Sequence, residues 1–473
     1  MNLLRKLWAE VDDRTGINGL VRPMLDHLVP PDSKWWYVFG SATMIAFMIQ
    51  VVTGIALATV YAPSAGHAYD SLKYITEEVP FGRLVRGMHY FGASFMVIFV
   101  VVHMVRVFWM AAYKYPREAN WLSGVVLLAL TLGMGFSGQL LRWDQNAIWS
   151  TVVGASQAAR TPMLGKWLAH LILSGDTVSS TTLNHIFSVH VFVLPGILIA
   201  LIGFHVHLVM HHGISEPPVA GQPVDPKTYR QSYHDMLDRV GKPFWPYAAW
   251  RDVVFGTLAV IAIVGLAWWF GPPKLDAPAD PTIVQAQPAP DWYLLWYFAV
   301  LALVPHRAED YVILLAPALI GLALFAVPFL NNRGERSWRR RPWAVVTVIT
   351  VGTCIGVLWL AGVREGWTPN FDAKPLPAAV IGADSGPVHD GGAVFNDKGC
   401  LYCHMVSGYG GTRGPDLTTV GDRLSRDQIV IRILNGGYNM PAYANNLTPA
   451  QLDNVTAFLQ SRKVQWSEAS KRP

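Results

Sequence analysis

Seven long apolar stretches constrain this chain more than any other feature, because about 20 apolar residues in a helix match the thickness of a bilayer's hydrocarbon core. They run over residues 35–61, 84–111, 121–141, 185–210, 253–270, 312–329 and 344–361. Hydrophobic residues make up 52% of the chain and charged ones only 15%, the balance of an integral membrane protein and not of a soluble multidomain enzyme. The expected fold class is all-α, a seven-helix transmembrane bundle. Tryptophans gather near the ends of the stretches, where they serve as interface anchors.

Charge orients the bundle. Lys114 and Arg117 follow the second stretch, Lys227, Arg230, Arg239 and Lys242 the fourth, and Arg333, Arg336, Arg339, Arg340 and Arg341 the sixth. By the positive-inside rule these loops and the N-terminus are cytoplasmic, and an odd number of spans leaves the C-terminus outside. The net charge of +5 therefore reports topology, and no nucleic-acid partner is expected. Residues 1–30 mix charged and apolar positions without an uninterrupted apolar core, which predicts an N-terminal amphipathic surface segment and not a cleaved signal peptide.

Two of the stretches carry paired histidines: His89 and His103 on the second, His190 and His205 on the fourth. The spacings are 14 and 15 residues, so each pair lies on one broad helix face, roughly 21 to 23 Å apart along the axis. A lone membrane histidine is ordinarily a hydrogen-bonded packing residue, but four at matched spacing on two helices can clamp two haems, one pair per haem. Arg86 lies three residues before His89 and Arg106 three after His103, each on its histidine's face, where a haem propionate needs a counter-charge. With both helices running inward, His89 and His190 belong to the outer level and His103 and His205 to the inner one.

Beyond residue 362 the composition turns to Pro, Ala, Gly and Asp, predicting a linker over 363–389 before a small soluble α-helical domain at 390–473. That domain opens with Cys400-Leu401-Tyr402-Cys403-His404, the attachment pattern of a covalent haem c: two thiols for the vinyl groups and an adjacent histidine for the iron. A disulfide or redox dithiol is the alternative. Met440 is the expected distal ligand, since Met405 adjoins the proximal histidine and cannot reach the opposite face of the ring. Haem attachment of this kind takes place outside the bacterial cytoplasm, in agreement with the topology from charge. Cys354, within the last span, reads as a small buried apolar residue.

Taken together these motifs resemble cytochrome b of the cytochrome bc family, in the branch where cytochrome b and a subunit IV are separate chains, here fused to a single-haem class I cytochrome c. Residues 31–217 resemble the four-helix di-haem part, with Gly40, Gly54, Gly124 and Gly138 matching the small residues that let haem lie against the first and third helices. Residues 218–362 resemble the three-helix subunit IV, through Pro278-Ala279-Asp280-Pro281, Pro290-Asp291-Trp292-Tyr293 and Val327-Pro328-Phe329-Leu330. The resemblance implies the catalytic core of a quinol:cytochrome c oxidoreductase in the bacterial cytoplasmic membrane, coupled to proton translocation. It further implies an outer quinol site, an inner quinone site, two non-covalent haems b, one haem c, a cytochrome c or other acceptor, and a homodimer within a larger complex. Three cysteines are too few to hold an iron–sulfur cluster besides the haem, so a separate Rieske iron–sulfur protein is expected.

In the quinol-oxidising motif Asp291 stands where the family carries glutamate. It is the candidate proton acceptor, with Tyr293 positioning the quinol; taken alone, Asp291 would read as a turn residue capping a short helix. Arg142 replaces a proline of the third loop, and Val38 stands where the photosynthetic branch attaches a further haem. His207, His211 and His212 lie near the inner end of the fourth helix, either as proton donors to the inner quinone or as interfacial histidines. The competing function is a di-haem membrane subunit that relays electrons for a quinone-linked dehydrogenase or reductase, which has no need of the Pro-Asp-Trp-Tyr loop or of three further helices. A docking or sensory role for the C-terminal domain is the third, against which Met440 argues.

Overall fold

The computed structural model describes residues 2–280, 288–364, 370, 372–436, 440 and 442–464. Among them, seven helices are long and apolar enough to cross a membrane: Phe39–Ala58, Gly82–Trp109, Glu118–Leu140, Ser180–His212, Ala249–Trp269, Ala308–Leu330 and Pro342–Arg364. Each coincides with one of the seven apolar stretches. Their outward faces are apolar, with Val52 and Ile55 on the first span, Phe192 and Ile199 on the fourth and Leu322 on the sixth all exposed. In a bilayer that surface meets lipid, and the backbone polar groups are satisfied within the helices. Trp35, Trp36, Trp268, Trp269, Trp338 and Trp343 are exposed near span ends, as interfacial anchors are. Cys354 is exposed on the last span, which corrects the expectation that it is buried: among the described residues nothing covers its helix face.

The described chain forms two compact units, one of residues 2–280, 288–294 and 310–357, the other of residues 295–309 and those from 358 onward. In the first, the chain begins with two amphipathic helices, Asn2–Thr15 and Ile17–Asp26, broken at Gly16, whose φ of 64° suits a residue without a Cβ. The first span packs along the second, the third along the fourth, and the fifth against the first two. Between them Ala42, Ala46, Phe47, Met96, Phe99, Leu198 and Ala259 form a buried cluster. Met96 lies midway along the chain between His89 and His103, and Leu198 between His190 and His205, so a dry plug fills the bundle between the two histidine levels.

The fourth span is not one regular helix. Residues Val189–Val193 form a π turn in which the Leu194 amide bonds to the Val189 carbonyl. Pro195, two residues beyond it, has no amide to give and its ring crowds the carbonyl four residues back, so widening the ladder by one residue accommodates it. At about 100° per residue, a spacing of 14 falls short of four full turns while 15 overshoots. The π turn takes up the extra residue, and the His190–His205 pair regains the phase of His89–His103.

The third loop carries the most densely bonded acid of the bundle. Asp144 has no exposed surface. Its carboxylate caps the helix Gln145–Ala159 through the Ala147 amide at 2.9 Å, receives Arg142 Nε at 2.9 Å, and accepts the Asp276 amide at 3.1 Å. Gln145 continues the seam, its side-chain amide exchanging hydrogen bonds with the Asp280 carbonyl and amide, both at 2.9 Å. The cation that replaces a proline at Arg142 thus has its counter-ion two residues along, and together they dock the stretch 276–280.

In the second unit, helices Pro387–Asp397 and Pro449–Gln460 cross at Gly391, where a Cβ would come within 2.7 Å of Phe458 Cβ. Phe395 and Phe458 meet near the crossing with tilted rings, their centroids 5.5 Å apart. Capping boxes Ser425/Gln428 and Thr448/Gln451 start the two later helices. Leu376 and Ile381 belong to this core, so the end of the expected 363–389 linker is packed chain, because those two apolar side chains bury better than they solvate. Asp144→Ala should cost about 3 kcal/mol of stability by leaving Arg142 and two amides without their acceptor. Asp144→Asn, which keeps an oxygen for the cap, should cost less; thermal unfolding of the detergent-solubilised chain measures both.

Candidate functional site

His89 and His190 face each other from the second and fourth spans with ring centroids 6.5 Å apart. Two imidazoles each bonded to one metal at about 2.0–2.1 Å have centroids roughly 6.3 Å apart, so the pair has the opening a bis-histidine haem requires. Hydroxyls set their tautomers. Thr53 donates its one proton to the Ile49 carbonyl at 2.6 Å, so towards His89 Nδ1, at 2.9 Å, it can only accept. His89 therefore carries its proton on Nδ1 and leaves the Nε2 lone pair for iron. Ser137 Oγ stands 2.9 Å from His190 Nδ1 and 3.2 Å from the Met134 carbonyl, and Ser123 Oγ stands 2.8 Å from both His205 Nδ1 and the Ala119 carbonyl, so a hydroxyl meets Nδ1 on these two rings as well.

The four glycines each meet one of the histidines. A Cβ on Gly54 would stand 3.2 Å from His89 Cε1, on Gly40 3.3 Å from His103 Cε1, on Gly124 3.7 Å from His205 Cε1, and on Gly138 2.8 Å from His190 Cε1. What they make room for is the imidazole ring as well as any flat group beside it.

The two arginines differ. Arg86 already donates to Thr76 Oγ1 at 2.9 Å and to the Pro273 carbonyl at 3.1 Å. Arg106 lies with its guanidinium 3.7 Å over the Tyr37 ring, and although it is buried, its Nε and Nη2 have no partner among the described residues. A buried guanidinium with two free donors is a cradle for an anion such as a propionate.

At the end of the fourth span Arg117 donates to the His212 and Gly213 carbonyls at 3.2 and 2.9 Å and to Tyr229 Oη at 2.7 Å. Tyr229 in turn donates to Glu216, which also binds Arg336. The cation closes the helix C-terminus, leaving His207 and His211 exposed and stacked at 6.2 Å. Sequence reasoning missed Asp252, the one acid in the first turn of the fifth span, whose carboxylate accepts Ser41 Oγ at 2.7 Å beside Gly40. A lone acid opening an apolar span was the available signal.

The loop before residue 295 brings Asp291 and Tyr293 together, the phenol donating to Asp291 Oδ2 at 3.1 Å. Burial pushes the Asp291 carboxyl above its ordinary range, against the opposing pull of the Tyr293 hydrogen bond and the Arg142 charge. Trp292 leans away and donates to Ser94 Oγ at 3.2 Å. Gln139, also missed, holds this loop: its side-chain NH2 donates to the Ala289 carbonyl at 2.9 Å and its carbonyl accepts the Asp291 amide at 3.1 Å. A buried glutamine in the last turn of a span is the signal that could have found it.

In the second unit Cys400, His404, Met440 and Tyr443 line a cleft of about 390 Å³ whose other walls include Phe395 and Leu459. His404 Nδ1 donates to the Pro415 carbonyl at 2.8 Å, which again frees Nε2. The Cys400 thiol is pushed up to about 12 by burial, and Cys403 is raised for the same reason. A redox dithiol needs a depressed thiol, so these two suit thioether attachment better. Met440 borders the cleft and Met405 does not.

Comparison with known proteins agrees with this geometry. Residues 24–214 match the family "Cytochrome b/b6/petB", residues 278–372 "Cytochrome b(C-terminal)/b6/petD", and residues 386–459 "Cytochrome C oxidase, cbb3-type, subunit III". The chain is 39% identical to the menaquinol:cytochrome c reductase cytochrome b subunit of Bacillus subtilis over 223 residues, 46% of this chain and all of that one. It is 33% identical to cytochrome b of Allochromatium vinosum over 351 residues, 71% of this chain and 83% of that one. A solved structure, "Hyperthermophilic respiratory Complex III", superposes with a TM-score of 0.64 at 28% identity, covering 75% of this chain and 91% of that one. The chain belongs to the cytochrome b family: it is the cytochrome b of a bc-type quinol:cytochrome c reductase, with a haem-binding cytochrome c domain at its C-terminus.

Proposed function

We propose that this chain oxidises a membrane quinol at the outer face of a bacterial cytoplasmic membrane. One electron goes towards a Rieske iron–sulfur protein and the chain's own haem c, the other across the bilayer to an inner quinone site, with protons translocated in the process. The cytochrome c domain stands on the outer side and passes electrons to a further acceptor, and the complex is a homodimer. His89 with His190, and His103 with His205, hold two haems b; Cys400, Cys403, His404 and Met440 hold one haem c. Bound haem supplies one-electron redox chemistry at these positions. The 6.5 Å opening between His89 and His190, with a hydroxyl on Nδ1 of each ring, is the observation that carries this reading.

The chain's own groups do the rest. Asp291 takes a proton as quinol is oxidised, and Tyr293 holds the carboxylate and the quinol in register. Arg106 binds an inner-level propionate with its free donors, and Arg86 fixes the outer loop while facing the other level. His207, His211 and His212, with Asp252, line the route by which protons reach the inner quinone. A plain electron relay has no use for a buried acid and phenol paired at the membrane edge, which favours the catalytic reading.

Extraction of the purified chain should yield two non-covalent haems for each covalent one. Deleting Phe192 together with Pro195→Leu should keep both, because the π turn becomes ordinary helix with the same downstream phase; inserting one residue after Val193 should lose one. Haemochrome spectra decide between these outcomes.

Met440→Ala should lower the potential of the covalent haem and open its distal site to small ligands without releasing it, since the thioethers remain. Redox titration of the c-type band measures this.

Quinol:cytochrome c turnover should rise with pH through the elevated pKa of Asp291, because only the ionised carboxylate accepts a proton. Asp291→Asn should abolish that limb and slow turnover by about 100-fold, leaving all haem spectra unchanged.

A further inference from the structure

Gln139 sits in the last turn of the third span, buried, and makes two hydrogen bonds of opposite sense to one loop: its NH2 to the Ala289 carbonyl at 2.9 Å and its carbonyl from the Asp291 amide at 3.1 Å. Pro290, between the two points of contact, has no amide of its own. A primary amide donates and accepts from a single planar end without carrying charge in any protonation state met near neutral pH. The loop is thereby held to the helix like a strand to its neighbour, although it lies in no sheet.

One turn earlier Gly135 faces the other end of the same motif, where a Cβ would collide with the Tyr293 hydroxyl. The last turn of the third span therefore fixes the Asp291 backbone through Gln139 and leaves space for the Tyr293 phenol at Gly135. Between these two points the only freedom left to the Asp291 carboxylate is its own side-chain rotation, and the phenol restrains that at 3.1 Å. Other charged and titratable groups near the carboxylate are Arg142 and Tyr90.

We propose that Gln139 is the positioning residue of the quinol-oxidation site: it sets where the Asp291 carboxylate stands relative to the quinol, without itself touching the reacting atoms. Asp291 lacks the extra methylene of a glutamate, so its carboxylate stays close to its backbone, and any backbone shift is passed to it almost undiminished. A rigid two-point clamp is what such a short acid requires. The inference rests on the proposal that Asp291 accepts the quinol proton.

The test uses the complete complex in membranes and five forms of the chain: wild type, Gln139→Leu, Gln139→Glu, Asp291→Asn and the Gln139→Leu/Asp291→Asn double variant. Gln139→Leu keeps the side chain's bulk and removes both hydrogen bonds. It should lower kcat by about tenfold with little change in KM, displace the acid limb of the pH–rate profile, and accelerate amide hydrogen exchange at Asp291, with haem spectra unaltered. Gln139→Glu, which keeps the acceptor for the Asp291 amide and loses the donor to Ala289, should fall between wild type and Gln139→Leu in exchange rate. The double variant should be no slower than Asp291→Asn alone, because the clamp acts only through that carboxylate.

If Asp291→Asn slows turnover and Gln139→Leu leaves kcat and the pH profile at wild-type values, the positioning role is wrong while the base assignment stands. Losses that multiply in the double variant also overturn it, since Gln139 would then act independently of Asp291. If Asp291→Asn is fully active at every pH, the base assignment itself fails, and fast exchange in Gln139→Leu would mark the clamp as a support of the loop alone. Loss of the haem bands in Gln139→Leu but not in Gln139→Glu would make Gln139 a folding residue, which likewise overturns the proposal.

Discussion

The hydrogen bond between an imidazole Nδ1 and a hydroxyl on the neighbouring span is the interaction on which the membrane half of this protein depends. At bilayer depth there is no water to satisfy a ring nitrogen, and a histidine free to choose its tautomer would be a poor ligand half the time. Thr53, Ser123 and Ser137 meet that need with a hydroxyl on Nδ1, and Thr53 does so with its own proton on the Ile49 carbonyl. Each of these hydroxyls lies beside a glycine that faces the same histidine: Thr53 next to Gly54, Ser123 next to Gly124, Ser137 next to Gly138. The first and third spans therefore serve as templates. They carry none of the histidines, yet they decide how three of the rings are turned.

A second kind of restraint governs the loops at the level of His89. Side chains there replace the secondary structure the loops lack: Asp144 and Gln145 tie down 276–280, and Gln139 ties down 289–291. All three stand at or just beyond the end of the third span. The loops that follow the fifth span are thus tied to the first four spans from this helix end by groups that carry out no chemistry themselves. Tertiary packing supports the same junction farther along, where Trp121 Nε1 donates to the Leu324 carbonyl at 2.7 Å.

Much of this was legible in the residues. Helix length and apolarity are local properties, so all seven spans could be placed within a few residues, and the four histidines stand out because ionisable groups are rare at that depth. Cys400-Leu401-Tyr402-Cys403-His404 is a contiguous motif and needs no fold to be recognised. What escaped were pairings across long separations: Gln139 to 289–291, Asp252 to Ser41, Arg142 to a counter-ion whose burial depends on 276–280. A glutamine or a serine has no periodicity to announce it. Cys354 was misjudged because hydropathy says that a helix is in the membrane but not which face meets lipid. Leu376 and Ile381, read as linker among prolines and alanines, enter the core of the cytochrome c domain because burial is decided by neighbours elsewhere in the chain.

The π turn at Val189–Val193 bears on how chains of this kind are compared. A regular helix turns a one-residue length difference into a rotation of everything beyond it, so insertions there are expected to be selected against. Here the difference is confined to five residues next to a proline, and the downstream face is undisturbed. Two relatives whose ligand spacing differs by one can thus present the same surfaces throughout. The gap in such an alignment belongs at this turn, whatever the count between histidines suggests, because it is here that this chain holds an extra residue without turning the helix face beyond it.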